Sequence, residues 1–228
     1  MIDYKNDYIN LVVLGNFNPS ILTHDFLVKE CGFDLGSKPI SKSPPMPVVT
    51  SLDYNKISFF ADLGRLQITE KNCKEPKLSQ LPIYLNTYLQ QLPYTPITKC
   101  GANFSYDLTV EKRPLENIEQ WLESNRNKFC KTLKLKTLDL EVCFAIDDKQ
   151  EEVKNWTLRT KIPEYEASTM LKVSYIAGAG NGIKIDFNYE VTGLDRDKKL
   201  LANVTTDYEN VVDLFKYQVE KIFSGQTS

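Results

Sequence analysis

The stretch that decides the fold is Met170–Val191, which reads MLKVSYIAGAGNGIKIDFNYEV. Its second arm alternates apolar and polar residues without a break, and its first arm does the same at Leu171, Val173 and Tyr175. The apolar positions of the second arm are Ile183, Ile185, Phe187, Tyr189 and Val191. Successive side chains of a strand point to opposite faces, so each arm is predicted to be a strand with one dry and one wet face. The glycines of segment 178–182 tolerate positive φ, which predicts a hairpin with Tyr175 facing Tyr189.

The segment N-terminal to this hairpin shows a different order of elements. Apolar runs and turn residues predict, in sequence, a strand at 9–17, a short helix to Cys31, strands at 48–54 and 56–69, a helix at 79–92 and a strand at 98–110. The order β-α-β-β-α-β is typical of a split βαβ, ferredoxin-like layer. Residues 1–112 are therefore predicted to form one half, with helices on one face of an antiparallel sheet.

The second predicted half, residues 113–228, reads as a helix, an antiparallel meander and a terminal helix. Pro114 suits the first turn of the opening helix. Thr206 and Glu209 have capping-box spacing, and an apolar stripe from Val211 to Phe223 predicts the terminal helix. The fold class is thus α+β. No internal repeat is visible, and the sequence leaves open whether the halves share one continuous sheet.

Composition excludes several classes of protein. The chain has 228 residues, 42% of them hydrophobic, so a large core is expected. Its net charge is -2, which disfavours a protein that binds nucleic acid non-specifically by neutralising phosphates. No apolar run approaches the ~18 residues that span a bilayer, and the N-terminus lacks a signal-peptide pattern. The cysteines are odd in number and widely spaced, which indicates reduced thiols in the cytoplasm. They are Cys31, Cys73, Cys100, Cys130 and Cys143.

The usual catalytic and cofactor motifs are not found in this sequence. His24 is the single histidine, which excludes sites that need two imidazoles, and the cysteines have no C-x-x-C spacing. The glycine loop at 178–182 is followed by a strand, whereas a phosphate-binding loop needs a helix at that point. No cofactor is therefore predicted.

Acidic residues in strand patterns offer the best route to an enzyme. A shared sheet face could gather carboxylates around Mg²⁺. The candidates are Asp62, Asp107, Asp139, Glu141 and Asp186. A cavity between the sheet and the helices would be the corresponding ligand site.

Aromatic and basic residues suggest an interaction surface instead. Tyr84 and Tyr88 share a helix face, and tyrosine suits protein interfaces because it combines contact area with a hydrogen-bonding tip. Lys128, Lys131 and Lys134 follow a predicted helix. Weak nucleic-acid binding would require the lysines of segment 128–136 to share a face with Arg113 or Arg126.

Three segments of the N-terminal half carry a family resemblance. They are Ile9–Phe17 (INLVVLGNF), Ile57–Ile68 (ISFFADLGRLQI) and Lys99–Phe104 (KCGANF). In these segments the chain resembles a sporadically distributed family of uncharacterised prokaryotic proteins of similar length. The resemblance brings no catalytic residue to transfer. A sporadic distribution implies a mobile-element or phage-defence setting.

These observations favour a cytoplasmic, non-enzymatic protein that binds another protein, as a homo-oligomer or an accessory subunit. The second hypothesis is a small-ligand-binding domain or carboxylate enzyme with a cavity between sheet and helices. The third is a weak nucleic-acid binder. Neither a membrane nor a metal is predicted as a partner.

Overall fold

The computed structural model describes residues 3–36, 38–42, 47–73, 75–109, 139–147, 152–162, 167–175, 182–191 and 208–224. The strands are β1 (Asp3–Gly15), β2 (Ser41–Lys42), β3 (Val49–Asp53), β4 (Ile57–Asp62), β5 (Arg65–Lys71), β6 (Ile97–Thr109), β7 (Asp139–Asp147), β8 (Glu152–Ile162), β9 (Ala167–Tyr175) and β10 (Gly182–Val191). The helices are α1 (Leu81–Gln90) and α2 (Tyr208–Ser224). Short helical turns occupy Pro19–Ile21, Phe26–Glu30 and Pro76–Leu78.

The ten strands form one antiparallel sheet in the order β2-β3-β4-β5-β1-β6-β10-β9-β8-β7. Strand β6 pairs with β1 on one side and with β10 on the other. The sheet therefore runs without interruption through both of the halves predicted from the sequence. The fold class is α+β with a mostly antiparallel sheet, in agreement with the coarse prediction.

The predicted ferredoxin-like order of the N-terminal half is not supported. The single strand predicted at 56–69 is two antiparallel strands, β4 and β5, that turn at Leu63 and Gly64. Asp62 causes the break, because its carboxylate accepts a hydrogen bond from the Gly64 N–H at 2.8 Å and so closes the turn. The Gly64 carbonyl then accepts a hydrogen bond from the Gly15 N–H at 3.0 Å, which fixes the turn against β1. A bulge or bend within one strand was expected here, and a full chain reversal is found.

The hairpin of β9 and β10 has the predicted alternation. Ile183, Ile185 and Phe187 are buried, and the polar positions between them face away from the core. The predicted pairing of Tyr175 with Tyr189 is wrong, because Tyr175 lies opposite Ile183 and Tyr189 lies opposite Thr169. The two tyrosines therefore lie near opposite ends of the hairpin.

The two halves of the sheet repeat one arrangement. In the first, β1 pairs with β5, the last strand of the β3-β4-β5 meander, and α1 follows β5. In the second, β6 pairs with β10, the last strand of the β7-β8-β9-β10 meander, and α2 follows β10 in the described part of the chain. The first strands of the two halves, β1 and β6, pair antiparallel at the centre of the sheet. This repeat is visible only in the topology.

The core lies between one face of the sheet and the helices. Tyr84 of α1 meets Phe59 of β4 edge-on, and Phe33 contacts both of these rings. Phe215 of α2 is fully buried and stacks on Phe104 of β6 with ring centroids 5.4 Å apart. The described helices therefore cover one face of the sheet, and we call the other face, on which no described helix lies, the uncovered face.

Several predicted elements fall outside the described residues. They are the helix that begins near Pro114 and the short strand at 200–206. Thr23 and Ser79 lie just before helix starts. The Thr23 hydroxyl accepts a hydrogen bond from the Phe26 N–H at 3.1 Å, and the Ser79 hydroxyl accepts one from the Leu81 N–H at 3.2 Å. The N-cap residues are Asp25 and Gln80.

Candidate functional site on the uncovered face of the sheet

A row of side chains crosses the uncovered face where neighbouring strands lie in register. Cα pairing places Asn10 opposite both Thr69 and Asn103, and Asn103 opposite Asn188. Asn188 lies in turn opposite Met170 of β9. On the other side, Thr69 of β5 lies opposite Ser58 of β4. Polar side chains therefore occupy the middle of this face.

Three asparagines of this row form a hydrogen-bonded ladder across β1, β6 and β10. The Asn103 amide N–H donates to the Asn10 side-chain oxygen at 2.6 Å, and the Asn188 amide N–H donates to the Asn103 side-chain oxygen. Asn10 is only 7% exposed. Because buried amides are costly unless paired, the ladder holds the three central strands in one register and prevents slippage.

Two carboxylates on the C-terminal half of the uncovered face, Asp186 and Glu190, have partners on β6. Lys99 of β6 donates to Glu190 of β10 at 3.2 Å, and the Ser105 hydroxyl donates to Asp186 at 2.7 Å. Both carboxylates already accept a hydrogen bond within the protein.

The N-terminal half of the uncovered face carries a patch of larger side chains. The Arg65 guanidinium carbon lies 4.6 Å from the centre of the Phe60 ring, and its Nη2 lies 3.4 Å from the Asp62 carboxylate. Val12 and Leu14 of β1 extend the patch, and all four of its members are half-buried. We call Val12, Leu14, Phe60 and Arg65 the Arg65–Phe60 patch.

The Arg65–Phe60 patch was not recognised in the sequence, although a signal for it exists. Phe59 and Phe60 are consecutive in an alternating strand, so one aromatic ring must point to each face. Phe59 is fully buried under the helices, and this places Phe60 on the opposite face. Arg65 joins it only because the chain reverses at Gly64.

The carboxylates predicted for a Mg²⁺ site share a face without converging. Asp62, Asp107 and Asp186 all lie on the uncovered face, but Asp62 is on β4, three strands from β6. At about 4.8 Å per strand, that separation is too large for a shared ion. Asp139 and Glu141 take register positions of the same face on β7. Within the described ranges, no three His, Cys, Asp or Glu side chains are placed to hold a metal ion.

His24 and the described cysteines are structural in this fold. His24 Nδ1 shares a hydrogen bond of 2.9 Å with the Tyr54 hydroxyl, and burial raises the pKa of Tyr54 to about 12. Burial also raises the pKa of Cys31 to about 11 and of Cys73 and Cys100 to about 12. Thiols with such pKa values are protonated near neutral pH and are poor nucleophiles.

The residues predicted as an interaction surface have different positions. Tyr88 is 1% exposed and contacts Phe26 edge-on, so its side chain belongs to the core and cannot meet a partner. Tyr84 is half-buried against Phe33 and Phe59. Lys128, Lys131 and Lys134 lie outside the described residues. In the described part of the chain, no helix is long and apolar enough to cross a membrane.

Comparisons with known proteins leave the activity open. No family model and no curated protein matches this sequence. Among solved structures, the rolling-circle replication initiator protein from Geobacillus stearothermophilus is similar at 10% identity and a TM-score of 0.35, over 95% of this chain and 85% of that one. DynU16, a protein of the dynemicin biosynthetic locus, is similar at 11% identity and a TM-score of 0.26, over 93% of this chain and 98% of that one. At these TM-scores neither similarity bears on function.

Proposed function

We propose that this chain is a non-enzymatic, protein-binding subunit, and that a partner protein docks on the uncovered face of the sheet at the Arg65–Phe60 patch. The observation that carries the proposal is the Arg65 guanidinium lying over the half-buried Phe60 ring beside Val12 and Leu14. Arginine and aromatic residues are enriched in protein interfaces and often provide most of the binding energy.

The remainder of the uncovered face supports a protein partner over a nucleic acid. Two opposite-sign pairs lie on it, Lys99 with Glu190 and Lys71 with Asp53. A surface that binds phosphates carries an excess of positive charge instead. The polar row around Asn103 would form the rim of the interface, and the Arg65–Phe60 patch its apolar centre.

The biological setting that we propose is a prokaryotic mobile element or phage-defence system. This part of the proposal rests on the resemblance of segments 9–17, 57–68 and 99–104 to a sporadically distributed prokaryotic family.

The test is affinity capture from the host lysate with three variants, Arg65→Ala, Phe60→Ala and Lys29→Ala. Lys29 is the matched control, because it is an exposed cation that pairs with Asp25 at 2.8 Å, away from the sheet face. We expect the wild type and Lys29→Ala to capture one stoichiometric partner. Loss of a hot-spot side chain typically costs about 2 kcal/mol or more, so Arg65→Ala and Phe60→Ala should weaken binding by roughly 30-fold.

Circular dichroism of each variant establishes that it is folded before capture is compared. Equal capture by all three variants would show that the partner binds elsewhere. A chain that captures no protein, but purifies with a small molecule, would instead support the ligand-binding hypothesis.

A further inference from the structure

The two ends of the sheet are built differently. At one end, β2 has only two residues, Ser41 and Lys42, and the adjoining sequence contains Pro39 and Pro47. Short strands, lysine and proline are the features that prevent a sheet edge from pairing with another chain. At the other end, β7 has nine residues with neither proline nor lysine, and no described strand pairs with its outer side. The β7 edge is thus longer than the β2 edge and has neither lysine nor proline, and its charged residues are Asp139, Glu141 and Asp147.

The sequence of β7 is complementary to itself when two copies pair antiparallel about Val142. Register positions Leu140, Val142 and Phe144 lie on the same face as the buried Leu171 and Val173, through their pairing with β8. If two copies of β7 meet on an axis at Val142, Leu140 of each copy lies opposite Phe144 of the other. Apolar positions then continue the core from one copy into the next.

The alternative axis, at Cys143, is less favourable. It would place Asp139 directly opposite Asp147, and like charges in direct cross-strand pairs are destabilising. The axis at Val142 pairs only residues 139–145 and leaves Asp147 without an opposite residue in β7.

We propose that a second copy of this chain pairs antiparallel with β7 about a two-fold axis at Val142, so that the ten-stranded sheets of the two copies become one. An interface of this kind uses the same edge on both subunits and is closed. Head-to-tail growth would need β2 to accept β7, and a two-residue strand offers too few backbone groups for that. The assembly therefore stops at a dimer. This proposal is independent of the Arg65–Phe60 patch.

The test combines native mass with disulfide trapping. In an antiparallel pair, residues directly opposite have Cα atoms about 4.5–5.5 Å apart, which is within the range that a disulfide spans. Val142→Cys should therefore form a disulfide-linked dimer under mild oxidation. Leu140→Cys is the matched control, because its copy would lie about four residues away along the strand, or about 13 Å.

We expect the wild type to have the native mass of a dimer and to form no disulfide-linked dimer itself. Equal cross-linking of Val142→Cys, Leu140→Cys and the wild type would overturn the register. A wild-type protein that is a monomer at every concentration measured would overturn the dimer, whether or not the cysteine variants fold. A monomer whose β7 edge instead binds a strand of another protein would overturn it equally. None of these measurements involves the partner of the uncovered face, so this proposal can fail while the proposed function stands.

Discussion

Phe215 is the residue at which α2 joins the central strands. Its ring centroid lies 5.4 Å from that of Phe104, 5.3 Å from that of Phe187 and 5.2 Å from that of Tyr106. The ring is fully buried, so one side chain from the C-terminal helix contacts both strands at the centre of the second half. Burial of a phenylalanine side chain contributes about 1.5–3 kcal/mol before the cost of any cavity is counted.

Replacing Phe215 with alanine should therefore destabilise the protein strongly. We expect Phe215→Ala to lower the free energy of unfolding by about 3–5 kcal/mol, because the aromatic cluster can close the resulting cavity only in part. The measurement is equilibrium unfolding in urea followed by tyrosine and tryptophan fluorescence. Ile83→Ala on the exposed side of α1, where the side chain is 57% exposed, is the control and should change the value by less than about 0.5 kcal/mol. A loss below about 1 kcal/mol for Phe215→Ala would contradict this packing.

At the scale of elements, ion pairs and close strand approach hold the two halves together. Lys216 of α2 donates to Glu75 at 2.7 Å, and this hydrogen bond holds the pKa of Glu75 below its usual value. Lys77 lies 2.6 Å from Asp213 of the same helix. Exposed pairs of this type contribute only about 0.2–1 kcal/mol each, so they orient α2, while its apolar face provides most of the stability.

Gly101 of β6 lies where the backbone of β10 leaves no room for a Cβ atom. A Cβ atom at this position would lie 2.8 Å from the Tyr189 carbonyl oxygen, which is backbone and cannot rotate away. We expect Gly101→Ala to cost about 1–3 kcal/mol of unfolding free energy, since the strands must separate locally. Gly64→Ala is the matched control: its Cβ would meet only the Asp62 side chain, at 3.7 Å, and its cost should stay within about 0.5 kcal/mol. Equal melting temperatures for the two variants would show that β6 and β10 are not in this register.

At the scale of the whole molecule, buried thiols and phenols make stability depend on pH in the alkaline range. Burial raises the pKa of Cys31 to about 11 and of Cys100 and Tyr54 to about 12, whereas unfolded cysteine and tyrosine titrate near about 8.5 and 10. At a pH between the unfolded pKa and the folded pKa of such a group, the folded state holds a proton that the unfolded state has lost. The unfolded state then binds fewer protons, so the free energy of unfolding falls as the pH rises.

We expect the free energy of unfolding to fall steadily from about pH 8.5 upward. Below that pH the buried thiols and phenols are protonated in both states, so their contribution to stability is fully present. The free energy is measured by urea unfolding at a series of pH values. Tyr54→Phe removes one of the titrating groups, so its unfolding free energy should fall less steeply above about pH 10 than that of the wild type. A free energy that is constant or rises across this range would mean that these side chains are not buried.

The sequence was informative wherever a short-range pattern is sufficient. The alternation at 183–191 identifies a half-buried strand because one face must be apolar, and Thr23 and Ser79 identify helix starts because free N–H groups need acceptors. It failed at Gly64, where the chain reverses and the Asp62 carboxylate accepts a hydrogen bond from the Gly64 N–H, a contact that an alternating pattern does not reveal. It also failed for Tyr88, because a helical stripe of tyrosines does not reveal which side meets the sheet.

By itself, the sequence determined that this chain builds an antiparallel sheet with helices packed on one face, because alternation and helical spacing are properties of neighbouring residues. Only the tertiary structure decided that β6 pairs with both β1 and β10, which makes one sheet of ten strands with the same arrangement in both halves. It also decided that Arg65 lies on Phe60 and that Asn10, Asn103 and Asn188 form a ladder. The physical reason is that these contacts join residues up to about ninety positions apart, and strand pairing over such distances depends on the packing of the whole core rather than on any local pattern.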